Sequence, residues 1–328
     1  MSQKDVWLIS MLKKSVTGCS SGLGKALAKH AYEMGCPVVA TARRPETLSY
    51  LPDGDKNVLK LGLDVTVADQ VDQVIKTAVD RFGCLDVVVN NAAYGLTGDT
   101  EVIPDADARA QLETNFWGPV NVTKAVLPVM REVNPHGKGG LVMQISSVGG
   151  RVCFPGGAFY HASKFALEGF TDTVAKEMHP DWNIKFTIIE PGVLEGGLSP
   201  YQPLDADGKA VGAVLTNFVQ NMTLPPRHPA YEDPACGYNK IGAYMASMAN
   251  TVQWSDPTVC ARVLHELASN RNETKPPLRL ALGADAWAAV KAELESITRE
   301  NEAWKSVAES TSHAENAKAR DFLLDHRQ

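Results

Sequence analysis

The sequence lacks three features that would assign it to other classes of protein. Its six cysteines include no C-x-x-C pair, which argues against a zinc site and is typical of reduced cytosolic thiols. No apolar run reaches the roughly 18 residues that a transmembrane helix needs, and the N-terminal apolar run is too short for a signal peptide. The net charge of −6 argues against a nucleic-acid partner held by a general positive field. We therefore expect a cytoplasmic protein without a metal site, a nucleic-acid partner or a membrane span.

The first part of the sequence, up to residue 190, contains short apolar runs that alternate with longer amphipathic stretches. The short runs are apolar at successive positions, as expected of parallel strands that are buried on both faces. The predicted strands are 37–41, 57–63, 85–89, 141–145 and 185–189, and the helices between them are 22–34, 67–82, 105–131 and 159–178. This order predicts an α/β fold with a doubly wound parallel sheet.

The alternation ends after residue 191, and turn-forming dipeptides are frequent from there to residue 234. Two helices are predicted at 236–250 and 256–269, followed by a last strand at 278–282. The C-terminal helix carries one apolar stripe, made of Trp287, Val290, Leu294, Ile297, Trp304 and Val307. We expect this stripe to pack on its own domain, with an interface to a second subunit as the alternative.

A glycine-rich turn begins the first predicted helix, 22–34. Residues 17–24 read TGCSSGLG. Glycines let the backbone turn tightly and approach a pyrophosphate, and the following helix directs its free N–H groups and positive dipole end at the anion. Such turns also occur in ordinary loops, but the position before a helix and a second strand favours nucleotide binding. The expected phosphate-binding residues are Gly18, Ser20, Ser21, Gly22, Leu23 and Gly24.

The end of the second predicted strand indicates which nicotinamide cofactor fits. An acidic residue there would bind the adenosine ribose and repel a 2′-phosphate, but this strand leads into Arg43 and Arg44. Guanidinium groups bind phosphate well, so we expect NADP to be preferred over NAD. The alternative is that the two arginines only begin a solvated loop.

Tyr160, Lys164 and Ser147 form a candidate catalytic set. Tyrosine and lysine four residues apart lie on the same face of a helix. A nearby cation favours the tyrosinate and lowers the pKa of the phenol, which makes Tyr160 a usable general acid or base. Ser147 follows a predicted strand, where its hydroxyl can stabilise charge on a carbonyl oxygen.

Seven short motifs place these residues in a wider pattern. They are TGCSSGLG at 17–24, LDVT at 63–66, NNA at 90–92, TNFWG at 114–118, ISS at 145–147, YHASK at 160–164 and PG at 191–192. In this order and spacing the chain resembles the short-chain dehydrogenase/reductase family, from about residue 6 to residue 282. The glycine spacing resembles the simple oxidoreductases of the family and disfavours the nucleotide-sugar epimerase branch, whose turn is usually T-G-x-x-G-x-x-G.

The resemblance implies a role for each member of the site. Tyr160 gives a proton to a carbonyl or takes one from an alcohol, Lys164 lowers the pKa of the tyrosine and binds the nicotinamide ribose, and Ser147 polarises the substrate oxygen. Asn115 holds a water that links Lys164 to solvent. For the cofactor, Asp64 contacts the adenine, Asn90 lines the adenosine side, and the backbone at Val193 meets the nicotinamide amide. The reaction needs no metal.

The resemblance also implies the organisation of the chain. We expect one Rossmann-type domain over 1–328, with a cofactor-binding part at 1–190, a helical substrate lid at about 191–255, and C-terminal helices with the last strand at 256–328. Apolar, aromatic and methionine residues in the lid favour a moderately sized hydrophobic alcohol or ketone as substrate. The alternative function is an NADP-binding protein without turnover, and the oligomer expected is a homodimer or a homotetramer.

An insert of seven residues, 10–16, separates Ile9 from the glycine turn. The first strand of this fold is buried on both faces, so a strand through Lys13 and Lys14 would bury at least one ammonium group, at a cost of several kcal/mol. We therefore predict that residues 6–10 form the strand and that residues 11–16 bulge out at the carboxyl edge of the sheet.

Overall fold

The strands of the protein form one parallel sheet in the computed structural model, which describes residues 4–10, 22–194, 227–248 and 254–311. Within these ranges the sheet has seven strands in the order β3-β2-β1-β4-β5-β6-β7. The predicted doubly wound parallel sheet is therefore confirmed. The strands are β1 Trp7–Ser10, β2 Val38–Ala42, β3 Val58–Gly62, β4 Val87–Asn90, β5 Gly140–Ile145, β6 Ile184–Pro191 and β7 Arg279–Leu282.

Helices cover both faces of this sheet because alternate strand residues point to opposite sides. On β1, Trp7 and Ile9 belong to the core beneath α1 and α7, whereas Leu8 belongs to the core beneath α2, α4 and α5. The helices are α1 Gly22–Glu33, α2 Ala68–Phe82, α3 Asp105–Leu112, α4 Gly118–Pro128, α5 Ala158–Glu177, α6 Gly237–Met248, α7 Pro257–Ser269, α8 Ala284–Ala303 and α9 Lys305–Ser310. No helix in the described part of the chain is long and apolar enough to cross a membrane.

The first strand lies where the sequence predicts it. Trp7, Leu8 and Ile9 pair with β2 on one side and with β4 on the other, so β1 is central in the sheet. The predicted bulge at 11–16 lies outside the described residues. The strand order reverses between β1 and β4, and ligands of open α/β sheets bind in the crevice at such a reversal, beyond the carboxyl ends of the strands.

The C-terminal helix differs from its prediction. Of α8, only Ala286 in the first turn is buried, whereas Trp287 is 61% exposed and Trp304, just after the helix, is 64% exposed. The expectation that the apolar stripe packs on its own domain is wrong for the described residues. The physical reason is that α8 meets the body near β7 and the turn after β5 and then continues beyond them.

Candidate active site

Helix α5 places Tyr160 and Lys164 one turn apart. The Lys164 side chain is buried, with 2% of the residue exposed, and its Nζ donates a hydrogen bond of 2.7 Å to the carbonyl of Ile145 at the end of β5. Nζ lies 5.9 Å from the centroid of the Tyr160 ring. Burial lowers the pKa of Lys164 to about 8, against the opposing effect of Glu168. The ammonium group is thus fixed at the carboxyl edge of the sheet.

The turn after β5 brings Ser147 to the same place. Its backbone is extended and its Oγ accepts a hydrogen bond of 3.0 Å from the N–H of Gly149. The Ser147 hydroxyl lies close enough to the Tyr160 phenol to lower its pKa against the effect of burial. The structure therefore brings together the three residues that the sequence singles out for catalysis, from the end of a strand and the first turns of a helix.

The pKa of Tyr160 is shifted in the direction opposite to the sequence-based expectation. Burial of the phenol raises its pKa, and the nearby Ser147 hydroxyl opposes this only in part. Lys164 Nζ lies 5.9 Å from the ring centroid, and its charge does not offset the burial of the phenol. A phenol with a raised pKa carries its proton at neutral pH, as a general acid must, but the raised pKa also makes it a weaker acid.

Asn115 lies in a π-helical turn, Glu113–Trp117, that joins α3 to α4. Its amide oxygen accepts from the Tyr94 N–H at 3.0 Å, and its Nδ2 donates to the Tyr94 carbonyl at 2.9 Å and to Ser163 Oγ at 3.1 Å. Single π turns are frequent at functional sites. Asn115 thus ties the loop after β4 to helix α5 beside Lys164.

His161 is a residue whose role the sequence motifs do not show. It is buried, its Nδ1 lies 2.8 Å from the carbonyl of Gly149, and its Nε2 accepts from the Phe154 N–H at 3.0 Å. A neutral imidazole with its proton on Nδ1 satisfies both contacts. His161 therefore holds both ends of the segment that connects Ser147 to α5. Only its position next to Tyr160 could have indicated this.

Arg43 lies at the carboxyl end of β2, on the side expected to bind the adenosine. Nη1 is 3.8 Å from Asp64 Oδ2, while Nε and Nη2 are buried without a hydrogen-bond partner among the described residues. Burial lowers the pKa of Arg43, and Asp64 opposes this effect. A buried donor without a hydrogen-bond partner costs free energy. The two N–H groups of Arg43 that have no partner among the described residues would therefore be stabilised by a bound anion. The neighbouring Arg44 is exposed and lies near Glu46.

Two other predicted cofactor contacts are engaged within the protein. The Asn90 side chain is buried and donates to Gln144 Oε1 at 3.0 Å and to Thr123 Oγ1 at 3.3 Å, so it is directed into the core. The N–H of Val193 donates to Asp285 Oδ2 of α8 at 2.8 Å. Contacts of Asn90 with a cofactor would therefore involve its backbone, and a cofactor amide at Val193 would compete with Asp285.

The glycine-rich turn is described only at its end. Gly22, at φ +59, begins α1, and a Cβ added there would meet nothing within 4 Å. Leu23 and Gly24 are buried under the sheet, so Leu23 could contact a phosphate only through its backbone. Gly18, Ser20 and Ser21 lie outside the described residues.

Comparison with known proteins finds relatives that are named as oxidoreductases or reductases. The sequence profile described as short chain dehydrogenase matches residues 15–203. The chain is 43% identical to the oxidoreductase calM of Penicillium decumbens, over 85% of this chain and 86% of that protein. It is 35% identical to the uncharacterized oxidoreductase C162.03 of Schizosaccharomyces pombe, over 92% and 91%. It is 38% identical to a 3-ketodihydrosphingosine reductase of Bacteroides thetaiotaomicron, over 70% and 80%.

Solved structures show the same fold. A short-chain dehydrogenase from Streptomyces avermitilis superposes with a TM-score of 0.73 at 30% identity, covering 95% of this chain and 100% of that one. An alcohol dehydrogenase from Thermococcus sibiricus, complexed with 5-hydroxy-NADP, superposes with a TM-score of 0.60 at 21% identity, over 86% and 97%.

Proposed function

The chain belongs to the short-chain dehydrogenase family and is an oxidoreductase, and from that premise we propose that it is NADP-dependent and acts on a carbonyl or secondary alcohol group. The observation that carries the proposal is the set formed by Ser147, Tyr160 and Lys164 at the carboxyl edge of the sheet. Exchange of the hydride is chemistry that a bound nicotinamide cofactor supplies. The chain itself supplies position and proton transfer.

In carbonyl reduction, Tyr160 donates its proton to the oxygen that becomes the hydroxyl. Ser147 and Tyr160 lie close together, so one substrate oxygen can accept a hydrogen bond from both hydroxyl groups. The ammonium group of Lys164 stabilises the tyrosinate left behind, and its bond to Ile145 keeps it from moving away. In alcohol oxidation the same proton moves in the opposite direction.

The preference for NADP is proposed on the evidence of Arg43. Its two buried guanidinium nitrogens, which have no hydrogen-bond partner in the part of the chain that the structure describes, are suited to the added phosphate of NADP. An acidic residue in its place would favour NAD instead.

A hydrophobic substrate of moderate size is proposed from the residues near the serine loop. Leu96 is buried and packs with Tyr94 and Phe159, and the Tyr238 ring of α6 lies against Gly156. Phe159 directly precedes Tyr160 and Gly156 lies in the segment between Ser147 and Tyr160, so these apolar groups border that segment. The relative named as a 3-ketodihydrosphingosine reductase is consistent with a keto substrate.

The test is a panel of hydrophobic ketones and secondary alcohols, followed by NADPH absorbance. We expect turnover by the wild type, none by Tyr160→Phe, and full activity of Tyr32→Phe, since the Tyr32 hydroxyl, in the last turn of α1, donates to Asp55 before β3, away from the catalytic set. All three proteins should bind NADPH. Tight NADPH binding without turnover on the whole panel would favour the non-catalytic alternative, and a fully active Tyr160→Phe would refute the assigned roles.

A further inference from the structure

Glu168 lies one helical turn after Lys164 on α5, at the same spacing that separates Lys164 from Tyr160. It is 3% exposed. Carboxylates are almost never buried to this extent unless they are paired. Its Oε1 accepts a hydrogen bond of 2.7 Å from the hydroxyl of Ser146. A residue outside the catalytic set therefore contacts the neighbour of Ser147.

The end of β5 is attached to α5 at two consecutive residues. Lys164 donates to the Ile145 carbonyl, and Glu168 accepts from Ser146, so both residues before Ser147 are fixed to one face of the helix. There is no room for a side chain at Gly150 above this contact. A Cβ there would lie 2.2 Å from Glu168 Oε1 and 2.5 Å from Ser146 Oγ.

Charged groups surround Glu168 from β7, from β6, from the turn after β5 and from α5 itself. Arg279 of β7 places Nε 3.4 Å from Glu168 Oε2, and Glu190 of β6 lies beside Arg279 at 3.9 Å. Arg151 of the turn after β5 pairs with Glu190 at 3.4 Å. On α5 itself, Asp172 pairs with Arg279 at 3.0 Å, and Lys164 is the cation one turn before Glu168.

The buried carboxylate and the buried ammonium influence each other. Burial, with a contribution from Glu190, raises the pKa of Glu168 to about 7 against the opposing effects of the Ser146 hydrogen bond and the two arginines. The charge of Glu168 in turn raises the pKa of Lys164 against its own burial. Lys164 therefore depends on Glu168 to keep its proton in a site that disfavours charge.

We propose that Glu168 is a positioning residue of the reaction, which fixes the end of β5 that carries Ser147 through its hydrogen bond with Ser146 and places a carboxylate one helical turn from Lys164. The proposal rests on the proposed function, because it assigns Glu168 to the same site. It goes beyond that function in naming a residue that touches neither substrate nor cofactor.

The test is the pH dependence of kcat/KM for Glu168→Gln, with Asp172→Asn as the matched control. Both variants remove one carboxylate that pairs with Arg279, but only Glu168 contacts Ser146 and influences Lys164. We expect the alkaline limb to move to lower pH by about one unit in Glu168→Gln, a tenfold change in proton affinity, and to stay in place in Asp172→Asn. A loss of activity that is equal at all pH values would overturn the proposal.

A second measurement needs no substrate. Because the pKa of Lys164 in the folded protein, about 8, is lower than its ordinary value of 10.5, the folded state binds fewer protons and stability rises with pH between these values. In Glu168→Gln this rise should begin about one pH unit lower. If the wild type shows no turnover, the proposed function fails. The pH dependence of stability still shows in that case whether Glu168 influences the pKa of Lys164.

Ser146→Ala keeps the proposal testable if Glu168→Gln does not fold. The Ser146 hydrogen bond lowers the pKa of Glu168, so its removal leaves less negative charge beside Lys164 at a given pH. The alkaline limb and the stability rise should both move in the same direction as in Glu168→Gln, by a smaller amount. If both curves of a folded Ser146→Ala coincide with those of the wild type, the proposal is wrong.

Discussion

Replacing Arg43 by alanine should weaken the binding of NADP and leave the binding of NAD essentially unchanged. Arg43 Nε and Nη2 are buried and have no partner among the described residues, so the added phosphate of NADP is the group they would bind. NAD lacks that phosphate, so the substitution removes no such contact with NAD. The perturbation therefore separates the two cofactors in one variant.

The magnitude follows from the contacts that are lost. A hydrogen bond to a charged group contributes about 1.5–3 kcal/mol, which corresponds to a factor of roughly 10 to 150 in the dissociation constant. The side chain of Arg43 is 22% exposed, so solvent screens it only in part. Asp64 lies 3.8 Å from Arg43 and would remain near the phosphate without its cation. We therefore expect the loss to fall in the upper part of that range.

The assay is titration of the protein with NADPH and with NADH, followed by cofactor fluorescence. Arg44→Ala is the matched control, because Arg44 is the neighbouring arginine but is exposed and pairs only with Glu46 among the described residues. Its affinity for both cofactors should stay within the wild-type range. Equal losses for both cofactors in Arg43→Ala, or wild-type affinity for NADPH, would refute the reasoning.

Two further predictions concern stability, measured by denaturant unfolding. Asn115→Ala should lower the free energy of unfolding by about 1–3 kcal/mol, because the partly buried Tyr94 N–H loses its acceptor; an unchanged value would contradict the role of Asn115 as a tie between the loop after β4 and α5. Gly139→Ala should cost more than Gly137→Ala. Both glycines have positive φ, but only at Gly139 would a Cβ meet a backbone oxygen, that of Asn183 at 2.1 Å. Equal losses in the two variants would show that backbone conformation alone is responsible.

The sequence was sufficient to predict the strands and most helices because their signals are local. Residues 37–41 and 141–145 are mostly apolar at successive positions, and the strands β2 and β5 lie there with shifts of about one residue. The cost of burying Lys13 or Lys14 also favours residues 6–10 as the first strand over a strand through these lysines. The strand observed is Trp7–Ser10. The long helix predicted at 105–131 is present as α3 and α4, but its π turn at Asn115 is not visible in the pattern.

What could not be predicted depends on tertiary contacts. The apolar stripe around Trp287 shows that one face of α8 is suited to burial, but not what lies opposite it. The direction of the pKa shift of Tyr160 depends on how completely the protein surrounds the phenol. The pairing of Glu168 with Arg279 joins positions 111 residues apart, and no short motif contains both.

The position of Arg279 on β7 has a consequence for biosynthesis. β7 pairs with β6, which ends at Pro191, so nearly 90 residues must be translated before that edge of the sheet is covered. Until then Glu168 and Glu190 lack the arginine that lies between them. Because domains are synthesised from the N-terminus and sheet pairings distant in sequence form slowly, a nascent chain can contain the entire catalytic set before the charges beneath it are balanced. The last strand therefore completes the site electrostatically although it contributes no residue to the reaction itself.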